Sequence, residues 1–519
     1  ADYKKNFNDR HDLSVMVGTS HESENYDRFT AKRINFDQQE NMSLQLGSAQ
    51  DQNAWSEGNQ WTINSFFSRV NYTFANKYVI EGTIRADGSS RFDPDHRWGW
   101  FPGVNAAWRV GEEGFMKRLG WFEDLKVRAS YGEMGNQSGI GLYDYIQLIS
   151  LSNDYYPFGA GVKGQMATSG NIISTSRTWE TIQTTNVGFD FSTLNNRLYG
   201  SFDYFWKENK NMLIPKTYPS MLGADAPSTN SGHLSIHGWE ISLGWRDQIK
   251  DFSYSVRFNI SDAKNKVVDR VGSNLIQLGN NETPTGYPLN SYFGYEFDGI
   301  IQNEQELEAY KSRFSEGGIP GDLSVGDAMY KDLDGDGKLS VLGDGKEGSG
   351  DVKYLGDKNP RYNFGFNLSM AWKGFDLSAF IQGVGRRTMF LEGESRCPMP
   401  EAWYQSAEYW YGKTWTPERT DAQYPAITLK DKRNYNYYVS TNTKFNVAYA
   451  RLKNLQFGYT IPQTLTSKAG LQKVRVYFSG EDLFEVHNTP NGWDPEENSG
   501  SITSYPFTRN YSFGINVVF

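Results

Sequence analysis

Nowhere in the 519 residues is there an apolar run approaching the roughly 18 residues that a membrane-crossing helix needs, so helical spanning is excluded. Cysteine is down to one residue, Cys397, which rules out an intramolecular disulfide and argues against a disulfide-stapled secreted scaffold. Positive charge is short as well: Lys and Arg number 52 against 61 Asp and Glu, and a net charge of -9 is not the balance of a nucleic-acid binder. Catalytic motifs are missing too. No GxSxG nucleophile turn occurs. GAGVKG, from Gly159 to Gly164, matches the dinucleotide pattern by letter only, because QMATSGN and not a helix follows it. His233 and His237 stand four apart with no helical context and no metalloprotease glutamate, which speaks against zinc. The chain opens on the polar stretch ADYKKNFNDRH, so any export signal is expected on sequence outside it.

What is present is aromatic and turn-rich: 15% Phe, Trp and Tyr, with 52 glycines, 32 tyrosines and 15 tryptophans. That mixture suits strands and tight turns rather than helices. Alternation at period two runs from end to end. In FFSRVNYTF, Phe66, Val70, Tyr72 and Phe74 share one face while Arg69, Asn71 and Thr73 share the other. After Ala75 and Asn76 the pattern resumes, with Tyr78, Ile80, Ile84 and Ala86 against Lys77, Glu81, Thr83 and Arg85. About sixteen such segments recur on the spacing of a transmembrane barrel. In the next-to-last segment, Val474, Val476 and Phe478 point toward lipid and Lys473, Arg475 and Ser479 toward the lumen. A mean hydropathy of -0.64 does not oppose this, because every second residue of such a strand faces water.

Tight turns alternate with long irregular stretches at about 134–178, 262–290, 302–359 and 385–442. Transmembrane barrels show this asymmetry, whereas a soluble sandwich rarely carries several loops so long. NYSFGINVVF then places Tyr511, Phe513, Ile515, Val517 and Phe519 on one face, an aromatic-ended strand of the outer-membrane kind.

Several segments are familiar as well as periodic. RWGWFPGVNAAWRV, LKVRASYGEMGNQ, WETIQTTNVGFDFSTLNNRLYGSFDYFWKENKNML, HGWEISL, GDKNPRYNFGFNLSMAWKGFDLSAFIQGVGR, YARLKNLQFGYTIP and VRVYFSGEDLF, in this order, closely resemble the SusC/RagA family of TonB-dependent outer-membrane transporters. The resemblance implies an all-β, transmembrane antiparallel barrel of the 22-stranded, plugged class, of which residues 1–519 supply a carboxy-terminal part. It implies import of oligosaccharides or peptides and no catalysis. A SusD-like surface lipoprotein is the implied lid, and TonB with ExbB and ExbD the energy source. The N-terminal extension, the TonB box, the plug and the first strands are missing, so they are expected from a second polypeptide or from an N-terminal portion cleaved from or lying ahead of this sequence. Two rival readings are a siderophore or cobalamin receptor of the same barrel class and a soluble all-β carbohydrate-binding domain; the family-specific segments favour the SusC branch over the first.

The one sharp ligand motif is DLDGDGK. Asp332, Asp334, Asp336 and Gly337 take positions 1, 3, 5 and 6 of a calcium loop, and alternate carboxylates suit a hard cation. Position 12 is Gly343, with Asp344 one residue on, so a Ca²⁺ site and a solvated acidic turn both remain open. The long loops also carry aromatic clusters: Tyr155, Tyr156 and Phe158; Trp403, Tyr404, Tyr409, Trp410, Tyr411 and Trp415; Tyr435, Tyr437 and Tyr438. Of these, Tyr155, Tyr156, Trp403, Tyr404, Trp410, Tyr435 and Tyr437 are the candidates for stacking on a substrate, since flat rings beside polar groups suit sugar faces. The plainer alternative is that these rings pack the loops together or meet the lipoprotein.

Overall fold

The computed structural model describes the chain apart from residues 38, 39, 41, 51, 159–161, 171, 216–226, 271–277, 280–282, 343–349, 401–404, 429–431, 498, 499, 501–504 and 506. Fifteen strands form one sheet in chain order. They are β1 (Asp2–Phe7), β2 (His11–Lys32), β3 (Asn53–Phe74), β4 (Tyr78–Ser89), β5 (Trp98–Trp108), β6 (Asp124–Asn136), β7 (Glu180–Thr193) and β8 (Leu198–Pro215). They continue as β9 (Ser228–Ile249), β10 (Phe252–Asp269), β11 (Arg361–Trp372), β12 (Phe375–Arg386), β13 (Tyr449–Thr460), β14 (Lys473–His487) and β15 (Asn510–Val518). Each strand pairs with the next, an antiparallel meander. The sheet holds one strand fewer than alternation suggests. Alternation also marks Ser291–Tyr295 and Val352–Asp357, but these pair with each other outside the sheet.

Connections alternate in length along the chain. Those at 8–10, 75–77, 194–197, 250–251 and 373–374 are tight turns, and 109–123 and 461–472 are of intermediate length; between them come 33–52, 90–97, 137–179, 216–227, 270–360, 387–448 and 488–509, of which 90–97 is short and most of the others are long. In an antiparallel meander alternate connections emerge at the same end, so one end carries the bulk of the loops. The tight turns are built from residues held at positive φ. In the three-residue turn between β3 and β4, Ala75 and Asn76 sit in the left-handed region at φ 52° and 56°, and Lys77 N–H donates to Phe74 O at 3.0 Å.

The expected irregular loops are in part folded. Residues 137–179 contain the hairpin Ile149–Phe158 with Val162–Ser169. The expected loop from 262 begins later, because β10 continues to Asp269. Residues 270–360 contain two small ladders and the helix α1 (Glu304–Arg313), whose first turn is capped by the Asn303 side chain accepting from Glu306 N–H at 3.0 Å.

Contacts divide the chain into two units. One comprises Ala1–Ala107, Ala129–Thr185 and Lys207–His233; the other comprises Trp108–Arg128, Asn186–Trp206 and Leu234–Phe519. In the first, the register puts Leu13, Tyr72 and Ile80 side by side on one face, while Ser14, Asn71 and Glu81 line up on the other. A small core of Phe92, Phe101, Ile140 and Trp179 closes the loops of this unit.

The second unit shows the two faces most fully. Its register aligns Tyr254, Met370, Leu377, Phe457, Phe478 and Phe513 in one row across β10 to β15. One residue along each strand, the opposite face reads Ser255, Ser369, Ser378, Gln456, Ser479 and Ser512. The pleat sends successive side chains to opposite faces, so a one-residue slip would exchange these rows. Ring contacts reinforce the apolar row: Phe375 and Phe457 stack at 5.9 Å, and Phe478 meets Phe513 at 5.3 Å. The expected placement of Val476 and Phe478 opposite Arg475 and Ser479 is therefore observed.

Candidate functional site

On the polar face, charges are held in Arg–carboxylate pairs, most of them between strands. In the first unit Arg85 Nε reaches both oxygens of Asp87 at 2.8 Å, and its Nη2 donates to Ser65 Oγ at 2.9 Å. In the second, Arg475 Nε donates to Asp376 Oδ1 at 2.9 Å and its Nη2 to Gln456 Oε1 at 3.1 Å. Arg128 bridges Asp203 at 2.5 Å and Asp190 at 3.2 Å, and Arg361 holds Asp262 with two nitrogens. Arg85 pairs within its own strand, Arg128–Asp190 and Arg361–Asp262 join neighbouring strands, and Arg128–Asp203 and Arg475–Asp376 reach across one strand in between; together they leave a wet, hydrogen-bonding surface. In the first unit this surface lines a cleft of about 780 Å³ that includes Arg69, Thr83, Arg85, Asp87 and Glu133. There Glu133 accepts from Gln183 at 2.9 Å and from Tyr131 at 2.5 Å. Paired charges among small polar groups suit hydrogen bonds to hydroxyl- and amide-bearing parts of a solute.

The acidic loop is built differently from its motif. Asp332 and Asp334 come together with Asp351, with ligand oxygens within 4.8 Å of one another, whereas Asp336 is not part of the group. Its Oδ1 accepts from Lys338 N–H at 2.8 Å. Gly343 and Asp344 lie outside the described residues. Backbone turns shape the cluster: Asp332 accepts from Gly335 N–H and Gly337 N–H at 2.7 and 3.0 Å, and Asp334 accepts from Gly350 N–H at 2.9 Å. Asp351 is fully buried and accepts from Leu333 N–H and Ser340 N–H at 2.6 and 2.8 Å. Burial raises its carboxyl above the ordinary value; those two N–H groups oppose this, and the charges of Asp334 and Asp332 add to it. Three carboxylates at one point suit a hard, oxygen-liganded cation. Asp351 escapes the motif because residues 343–349 separate it from the aspartate run; its only sequence signal is an acid directly ahead of the alternating VKYLG.

Three of the aromatic candidates are buried. Trp410, Tyr435 and Tyr437 are each only 2% exposed, and they form loop cores rather than a binding platform. Trp410 packs edge-on against Tyr424 at 4.9 Å and Tyr437 at 5.5 Å. Tyr435 meets Tyr330 at 5.2 Å, and its hydroxyl lies 2.6 Å from that of Tyr310. Burial pushes the hydroxyls of Tyr435 and Tyr437 well above their ordinary values, and that of Tyr310 up to about 12. The same core encloses an ion pair, Lys432 Nζ to Asp327 Oδ2 at 2.6 Å, with Asn436 donating to Asp327 Oδ1 at 2.9 Å. Trp403 and Tyr404, and the side chains of Tyr155 and Tyr156, lie outside the described residues. Tyr411, by contrast, is 90% exposed. If Tyr435 is structural, Tyr435→Phe should lower the stability of the loop unit by about 0.5–1.5 kcal/mol, read by thermal unfolding, and leave solute affinity unchanged. An affinity loss at unchanged stability would restore Tyr435 as a binding residue.

A model of the family described as TonB dependent receptor-like, beta-barrel, matches residues 1–483. The chain is 31% identical to TonB-dependent receptor P3 of Formosa agariphila, over 100% of this chain and 51% of that protein. It is 27% identical to TonB-dependent receptor SusC of Bacteroides thetaiotaomicron, over 90% of this chain and 45% of that one. Among solved structures, the RagAB peptide transporter shares the fold with a TM-score of 0.80 at 22% identity, covering 99% of this chain and 54% of that one. The chain thus spans about half the length of the curated relatives it matches.

Proposed function

The chain belongs to the TonB-dependent receptor-like β-barrel family of the outer membrane, and from that membership we propose that it supplies wall strands and outer loops of a SusC-type importer. The solute is an oligosaccharide or a peptide, captured beneath a SusD-like lipoprotein and released inward when TonB, driven by ExbB and ExbD, moves a plug. What carries the reading is the pair of rows in the second unit: an apolar row from Tyr254 to Phe513 fit for lipid, and a row of serines with Gln456 fit for a water-filled passage. Kinship with a protein named SusC favours this branch over a siderophore receptor. The test is uptake by cells making the full-length protein and its lipoprotein. Loss of oligosaccharide or peptide uptake on deleting either the lipoprotein or TonB supports the reading, and uptake indifferent to both contradicts it.

The same reading includes a calcium ion in the outer loops, held by Asp332, Asp334 and Asp351, where it would fix the turn and offset the clustered charge. Without a cation, a carboxyl whose folded value is raised favours the fold at acid pH and loses that contribution as pH rises through the folded value. At pH 7, calcium at a hundredfold excess over its dissociation constant should therefore stabilise the loop unit by about 2.7 kcal/mol. Thermal unfolding with calcium and with a chelator checks this. Asp351→Asn should abolish the difference, and a melting curve indifferent to calcium sinks the site.

A further inference from the structure

Near the loop end of β11 and β12, the side chains of Arg386 and Lys444 form no ion pair or hydrogen bond among the described residues. The register places Arg361 directly opposite Arg386. Like charges directly opposite destabilise a ladder unless something neutralises them. Arg361 is neutralised by Asp262. Arg386 has no such partner, and Lys444 joins it because Phe445–Asn446 ladders with Thr388–Met389, immediately after β12. A third cation closes the group. Lys353 lies on Val352–Asp357, a strand that touches the same ladder, since a Cβ on Gly356 would fall 2.2 Å from Thr388 Oγ1. Although its side chain reaches solvent, partial desolvation, and after it the charges of Arg386 and Lys353, lower the Lys444 ammonium below its usual value.

The acids nearby are already engaged. Glu296 serves two ammonium groups, Lys331 at 2.6 Å and Lys353, which hold its carboxyl down at about 2. Asp357 accepts from Tyr354 Oη at 2.7 Å and from Asn359 N–H at 3.1 Å. Among the described residues Arg386 and Lys444 are thus left without a paired carboxylate, in a chain whose net charge is -9. Both are exposed. Gathering like charge without a counter-ion costs free energy, and a ligand anion removes that cost.

We propose that Arg386 and Lys444, backed by Lys353, form a docking point for a carboxylate or sulfate group on the imported solute. The inference rests on the import reading and narrows it to acidic solutes. Arg386 offers a planar fork that matches the two oxygens of such a group, and Lys444 adds a compact point charge.

The experiment measures equilibrium binding to the full-length protein at low salt. The probes are a dextran sulfate oligomer, an oligogalacturonate and an unmodified dextran oligomer of the same length. One anionic probe should bind at least about tenfold tighter than neutral dextran, as a charge-assisted hydrogen bond implies, and which one does so separates sulfate from carboxylate. The double variant Arg386→Gln, Lys444→Gln should bring the ratio near one, and raised salt should shrink it in the parent protein. Because neither side chain has a partner to lose, the variant's melting temperature should be unchanged or higher. Equal binding of charged and neutral probes overturns the proposal. So does a preference that survives the double variant, or one lost together with thermal stability. Failure of the import reading appears separately, as uptake indifferent to TonB while the anion preference persists.

Discussion

Phe478→Arg is expected to prevent assembly of the protein into a bilayer, while Ser479→Arg, one residue along the same strand, leaves assembly intact. Phe478 lies in the apolar row, between Phe457 and Phe513, and Ser479 lies in the polar row, between Gln456 and Ser512. An arginine facing lipid near the bilayer midplane costs about 2–4 kcal/mol, whereas a lumenal arginine keeps its water. The Phe478–Phe513 ring contact is lost in addition. The fraction of folded, heat-resistant protein after reconstitution reads the difference, and equal behaviour of the two variants contradicts the register.

Asp327→Ala should have the larger effect on the outer loops. It strips Lys432, only 5% exposed, of its carboxylate, and it removes the acceptor used by Asn436 and Ser324. Breaking a buried pair from one side costs about 3–5 kcal/mol, because a desolvated charge is left without a counter-charge. The double variant Asp327→Ala, Lys432→Met removes both charges and should recover much of that loss. Hydrogen exchange across 291–340 and 432–441 is the readout: protection lost in the single variant and regained in the double variant is expected, whereas equal protection in all three proteins contradicts a structural role for the pair.

How far the sequence alone reveals this molecule depends on the range of the interactions. The two faces of β3, β4 and β14 are legible, because period-two alternation is a local property, and Val476 and Arg475 fall on opposite sides as alternation requires. Burial of Trp410, Tyr435 and Tyr437 is not legible. Whether a ring packs or stacks on a ligand depends on partners such as Tyr310 and Tyr330, more than a hundred residues from Tyr435. DLDGDGK advertises three ligands, but the chain turns Asp336 away and brings in Asp351 from farther along the chain, which no fixed spacing encodes. The meeting of Arg386 with Lys444 is likewise a product of strand pairing between distant segments.

The central claim is that the alternating faces of this sheet are a lipid side and a water side. Nitroxide labels at Phe513→Cys and Ser512→Cys, placed singly in the full-length protein in bilayers, test it most directly. Cys397 interferes little, being 1% exposed with a thiol that burial raises above its usual value. The label at 513 should be relaxed by oxygen dissolved in lipid and spared by a water-soluble nickel chelate, and the label at 512 should show the reverse. Equal accessibility at the two positions, or the opposite order, would contradict a membrane-spanning wall.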